Sequence, residues 1–151
     1  MKLLAAIDFS ELTGSVLEET AKLAKALSAE TVLLHVHPPA SPAFDLYPET
    51  EVIPLPAGGA ALPDGRQGNG KDKLETMADK FRREGIRATG STIEGDEVEG
   101  IVGEGRRIKA DMIIVGSHGH GSLFHLLVGS VSEGVVKKAP CPVLIVPRRT
   151  S

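Results

Sequence analysis

Apolar positions along this chain follow two alternating rhythms. Short unbroken aliphatic runs occupy residues 2–7 (KLLAAI), 31–37 (TVLLHVH), 112–115 (MIIV) and 142–146 (PVLIV). Their length and β-branched content are those of strands buried on both faces. A weaker run over residues 86–93 alternates apolar with polar, as an outer strand does. Between the runs, apolar residues recur at helical spacing: Val16, Leu17, Ala21, Ala24 and Leu27; then Leu74, Met77, Ala78 and Phe81; then Val98, Ile101, Val102 and Ile108; then Val131, Val135 and Ala139. The pattern predicts helices over residues 10–28, 71–84, 96–108 and 130–139. Ser10, with Glu11 behind it, reads as the first N-cap. Asp96 with Glu99 makes a capping-box-like start, Gly85 a C-terminal stop, and Pro140 ends the last helix. Gly100, Gly103 and Gly105 fall inside the third helical pattern, where each costs roughly 1 kcal/mol relative to Ala. Close packing is the one role their position suggests.

Strand and helix alternate throughout, so successive strands run parallel through right-handed crossovers. The expected fold is α/β: a single three-layer domain over residues 1–151, with a five-stranded parallel sheet in the order 3-2-1-4-5 and helices on both faces. In that order the first and fourth strands are neighbours, and the winding reverses between them. Ligands of such sheets bind at the carboxyl ends flanking the reversal, where Asp8 and Gly116 stand. Residues 38–70 break the rhythm. They hold seven of the ten prolines and five of the seventeen glycines, and no period survives in them. They read as a long irregular insert.

Composition narrows the partners. Aromatic residues are 3% of the chain and Trp is absent, so the core is aliphatic and stacking of bases on aromatic platforms is disfavoured. A net charge of −3 points away from nucleic acid and from anionic membranes. The lone Cys141 allows no internal disulfide and suits a reducing cytoplasm; between Pro140 and Pro142 it reads as a small core residue. The first apolar run is interrupted by Asp8 and Glu11 and is too short for a signal peptide or a membrane span.

The candidate chemistry lies in residues 111–133, DMIIVGSHGHGSLFHLLVGSVSE. A buried strand runs into a glycine-punctuated loop and then a helix N-terminus. Glycines let a backbone approach a ligand closely, and the first turn of a helix offers unpaired N–H groups to an anion. The spacing is Gly116, two residues, Gly119, nine residues, then Gly129-Ser130. No Gly-Lys-Ser/Thr closes it, so it is not a Walker loop, and it follows the wrong strand for a dinucleotide fingerprint. Ser130 with Glu133 also fits a plain capping box. His118, His120 and His125 lie in the loop without Cys or carboxylate at ligand spacing, which argues against zinc; His118 or His120 is placed to reach a phosphate. His35, on a buried strand, reads as a satisfied core histidine.

AAIDFSE after the first strand, LLHVH in the second, DMIIVGSHG, the glycine spacing, GSVSEGVV and CPVLIVP together resemble a single-domain universal stress protein. The resemblance covers nearly the whole chain apart from the insert. In nucleotide-binding members the loop glycines and the next serine hold phosphates, which implies that role for Gly116, Gly119, Gly129 and Ser130, with His118, Val131 and Ser132 beside them. It implies Asp8 near ribose, phosphate or Mg²⁺, the Val36 backbone at the adenine edge, and Val115 as a wall of the pocket. The full glycine motif implies the branch that binds ATP, with AMP or ADP as variants. The resemblance also implies a cytoplasmic homodimer through the last strand, centred on Val143, Leu144, Ile145 and Val146. The expected function is that of an adenine-nucleotide-binding regulator of the stress response, with a signalling partner the sequence does not name. Its alternative is a nucleotide-free dimeric interaction module of the same fold. No lysine in the loop, no nucleophile with its base and no residue to place an attacking water is evident, so activity is at most slow ATP hydrolysis or autophosphorylation. A flavodoxin-like flavin protein is disfavoured, because the phosphate loop follows the fourth strand.

Overall fold

The computed structural model describes residues 1–39, 67–117 and 128–148. In chain order it contains β1 (Lys2–Ala6), α1 (Thr13–Leu27), β2 (Glu30–His37), α2 (Gln67–Arg83), β3 (Ala88–Glu94), α3 (Glu97–Ile108), β4 (Met112–Gly116), α4 (Ser130–Lys138) and β5 (Val143–Val146). The strands form one parallel sheet in the order β3-β2-β1-β4-β5. Alternation along each strand divides the aliphatic side chains between two layers. Leu3, Ala5, Leu33 and Ile114 pack with Val16 and Ala24 of α1 and Leu74, Ala78 and Phe81 of α2. Leu4, Leu34, Val36, Ile113 and Val115 pack on the other face with Ile101 of α3 and Val135 of α4.

Local chemistry explains the helix ends, including two that differ from expectation. Ser10 is not the cap of α1. The helix starts at Thr13, its cap position is Leu12, and no side chain caps it. The Asp8 carboxylate instead accepts from the Ser10 N–H at 2.9 Å and from the Thr13 hydroxyl at 3.5 Å, folding residues 8–13 into a turn ahead of the helix. Asp96 does cap α3, accepting from the Glu99 N–H at 2.9 Å, but the Glu99 carboxylate pairs with Lys138 rather than closing the box. Gly85, at φ 83°, ends α2 in a left-handed turn, and the Ile86 N–H returns to the Phe81 carbonyl at 2.9 Å. The second difference is the start of α2, four residues before Lys71, so the insert is shorter than residues 38–70. Gly68 and Gly70 hide this turn from an apolar-period reading. It runs close to two rings of the cleft corner: a Cβ on Gly70 would lie 3.7 Å from His35 Cδ2 and 3.8 Å from Phe9 Cε2.

The glycines of α3 divide by what they touch. A methyl on Gly100 would come within 2.9 Å of both Cγ atoms of Val36, and one on Gly105 within 2.9 Å of Ile113 Cδ1. One on Gly103 would meet nothing within 4 Å. Close packing accounts for Gly100 and Gly105 but not for Gly103.

Candidate functional site

β1 and β4 are neighbours, and the chain leaves them towards opposite faces, to α1 on one side and α4 on the other. The divergence opens a cleft at their carboxyl ends. On the β1 side the half-buried Asp8 has its Oδ1 held by Ser10 and Thr13. Next to it Phe9 takes a left-handed conformation at φ 57°, unusual for a bulky side chain. Its ring lies 4.6 Å from that of His35, with the Lys73 ammonium 5.5 Å from the Phe9 centroid. The Ile7 carbonyl accepts from His35 Nδ1 at 2.7 Å, which places the ring proton on that nitrogen. His35 is thus the satisfied structural histidine its strand position suggested.

β2 runs beyond the end of β1. The Leu34 carbonyl accepts from Ile7 N–H on the β1 side, and the His37 carbonyl accepts from Gly95 N–H on the β3 side. Alternation therefore turns the N–H and C=O of Val36 towards the β1 side, past Ala6 and into the cleft. The Val36 side chain is buried in the α3 layer together with that of Val115.

On the β4 side the chain is tied down by three bonds. The Ser117 N–H donates to Val146 O at 2.8 Å, the Ser117 carbonyl accepts from Gly129 N–H at 2.5 Å, and the Ser132 hydroxyl donates to Gly116 O at 2.5 Å. These set the N-terminus of α4 against the carboxyl end of β4. Gly129 is its cap residue, and no side chain caps the helix. Ser130 is exposed, Val131 half-buried and Ser132 buried. The capping-box reading of Ser130 fails, because Ser130 already lies inside the helix and the Glu133 carboxylate accepts from Lys137 at 2.6 Å. Ser117 is 3% exposed, and its hydroxyl has no hydrogen-bond partner among the described residues.

Asp8, Val36, Gly116, Gly129, Ser130, Val131 and Ser132 are thus brought to one end of the sheet, with Val115 beneath them. His118 and Gly119 lie outside the described residues, as do His120 and His125. Phe9 and Ser117 were not expected from sequence: one owes its place to a backbone conformation, the other to a bond with β5. β5 is an edge strand, as read; Val143, Leu144 and Ile145 are half-buried, whereas Val146 is 3% exposed and belongs to the core. Cys141 is a half-buried thiol at the margin of the α3–α4 layer, and burial pushes its pKa up. A groove of about 620 Å³ opens at the opposite, amino end of the strands. Two of its charged residues are already paired, Arg82 with Glu75 and Asp79, and Arg87 with Glu30.

Fold and cleft together define an open parallel α/β protein with an uncapped helix N-terminus at its switch point. Residues 1–147 match the model of the universal stress protein family. The chain is 32% identical over 162 residues to universal stress protein MJ0577 of Methanocaldococcus jannaschii, a match spanning 99% of this chain and 96% of that protein. The solved structure of MJ0577 superposes with a TM-score of 0.78 at 28% identity, over 99% of this chain and 97% of that one. A universal stress protein in complex with cAMP superposes at 0.67 with 19% identity, over 99% and 98% of the two chains. One from Archaeoglobus fulgidus in complex with dAMP superposes at 0.67 with 21% identity, over 97% of each. This chain belongs to the universal stress protein family. No described helix is long and apolar enough to cross a membrane.

Proposed function

We propose that this chain binds an adenine nucleotide, ATP foremost, in the cleft between β1 and β4, and acts as a regulatory binding module of the stress response. The observation that carries the reading is the N-terminus of α4, which opens at Gly129 without a side-chain cap beside the carboxyl end of β4. Such a terminus favours phosphate through its N–H groups and its dipole. Ser130 and Val131 then offer N–H groups to the phosphates, Gly116 and Gly129 let them approach the backbone, and His118 and Gly119 are assigned by the motif. The Val36 backbone meets the adenine edge. The Ser132 hydroxyl supports this frame from behind by holding the Gly116 carbonyl. Asp8 faces ribose or phosphate, and a Mg²⁺ between its carboxylate and the phosphates relieves their repulsion; that ion takes one or two carboxylates along with substrate oxygens. The cAMP and dAMP complexes of two relatives favour an adenine ligand. A second copy pairs along the open edge of β5 through Val143, Leu144 and Ile145, because an unpaired apolar edge invites a strand.

Calorimetry of nucleotide-free protein with ATP, with and without Mg²⁺, tests the reading. Gly129 sits at φ −72° and ψ 162°, extended backbone that valine also adopts. On the nucleotide reading, Gly129→Val is expected to crowd the phosphates and abolish binding while the melting temperature holds. Asp8→Asn is expected to weaken binding more with Mg²⁺ than without it. No heat at millimolar ATP would reject the nucleotide reading in favour of an interaction module.

A further inference from the structure

Two side chains reach into glycine notches on either side of one helix, and together they link the two ends of the cleft. Val36, whose backbone faces the adenine end, fits against Gly100 of α3 so closely that a methyl there would come within 2.9 Å of both its Cγ atoms. Two residues earlier on α3, Val98 fits against Gly134 of α4, where a methyl would come within 2.7 Å of Cγ2 and 3.1 Å of Cγ1. The stack from β2 through α3 to α4 thus has no slack at either contact. Both contacts are made by valine, whose branched Cβ leaves no rotamer to swing aside, so an added atom moves the backbone instead. α3 is held in line at its first turn by the Asp96 cap and is bound to α4 by Lys138–Glu99 and by Arg106, which donates to the Lys138 carbonyl at 3.3 Å.

We infer that α3 is the spacer that sets the distance between the adenine end and the phosphate end of the cleft, with Val98, Gly100 and Gly134 as its positioning residues. The inference rests on the nucleotide reading above. None of the three touches the ligand; they fix how far apart the Val36 backbone and the α4 N-terminus stand. A ligand that engages both ends gains from their being correctly spaced, whereas a ligand that engages one end does not. ATP spans the stack, and adenosine occupies only the adenine end. The ratio of their affinities therefore reads the spacing, and a general loss of stability does not move it.

The test measures ATP and adenosine affinities by competition on the full chain. Gly134→Ala is expected to lower ATP affinity about tenfold, in the range of couplings between contacting residues, with adenosine nearly unchanged; Gly100→Ala, which also presses on Val36 at the adenine end, is expected to weaken adenosine too, but ATP more. Val98→Ala, which loosens the stack without adding volume, is expected to lower the same ratio and keeps the test alive where a crowded variant does not fold. Combining it with Gly134→Ala refills the contact and restores the ratio. Gly103→Ala lies on the same helix in open space; it raises the melting temperature by helix propensity and leaves the ratio alone. ATP binding with an unchanged ratio in the notch variants would overturn the spacer, as would an equal shift in Gly103→Ala. Wild-type protein that binds no ATP is a different result, which removes the nucleotide reading itself and the spacer with it.

Discussion

The hydroxyl of Ser132 donates to the carbonyl of Gly116 across 2.5 Å, joining the first turn of α4 to the last residue of β4. Ser132 is 3% exposed, so removing its hydroxyl leaves that carbonyl without this donor in a buried setting. Ser132→Ala is expected to lower stability by about 1–2 kcal/mol, read from the midpoint of denaturant unfolding. Ser132→Thr keeps the donor and is expected to lose less. An unchanged midpoint in the alanine variant would contradict the bond.

Phe9 offers a test of backbone conformation. At φ 57° any residue but glycine is strained, by roughly 1–2 kcal/mol. Phe9→Ala removes the ring from His35 and keeps the strain; Phe9→Gly removes both. The glycine variant is expected to be the more stable by about 1 kcal/mol, the reverse of the usual order. Equilibrium unfolding of the pair decides it, and a more stable alanine variant would mean that the turn is not left-handed.

Assembly is tested at β5. Leu144→Asp places a charge on the open edge, where pairing with a second copy would desolvate it. Sedimentation at micromolar concentration is expected to give a dimer for the wild type and a monomer for the variant. A wild-type monomer would remove the edge-pairing proposal.

Cys141 predicts a pH profile. Burial raises its thiol pKa most, the Asp111 carboxylate adds to that, and the Ile113 N–H partly offsets it. Less thiolate is then present at any given pH than in an unfolded chain, so alkylation at neutral pH is expected to be slow and to accelerate only above the ordinary thiol range. In urea the ordinary profile returns. The linkage has the same sign: the unfolded thiol ionises first, so this group's contribution to stability is present below the unfolded value and lost as pH rises through the folded one.

The sheet was legible because each strand's aliphatic run is long enough to be buried and each helix carries its own stripe. The alternation of elements gives a parallel sheet, and the order 3-2-1-4-5 chosen for it put Asp8 and Gly116 at the ends of neighbouring strands. What escaped was decided by individual contacts, some local and some between distant segments, that no periodicity carries. Residues 67–70 have no stripe, yet they form the first turn of α2, which reaches the neighbourhood of Phe9 and His35 at Gly70. Ser10 has the chemistry of a cap, but its hydroxyl accepts from the Leu12 N–H inside the turn, and the helix starts only at Thr13. Ser130 likewise resembles a cap, and Glu133 prefers Lys137. Gly100 and Gly134 look like weak points in their helices until Val36 and Val98 are seen to fill them.

Gly70, in the first turn of α2, stands so near His35 and Phe9 that an added methyl would touch both, close to the end of β2. The described fold thus holds these two points of the chain near each other. Closing a longer span costs little more, about 0.6 kcal/mol for each doubling of its length. That corner is a splice point: a foreign domain with adjacent termini, a fluorescent reporter for example, is expected to be tolerated there, beside the cleft.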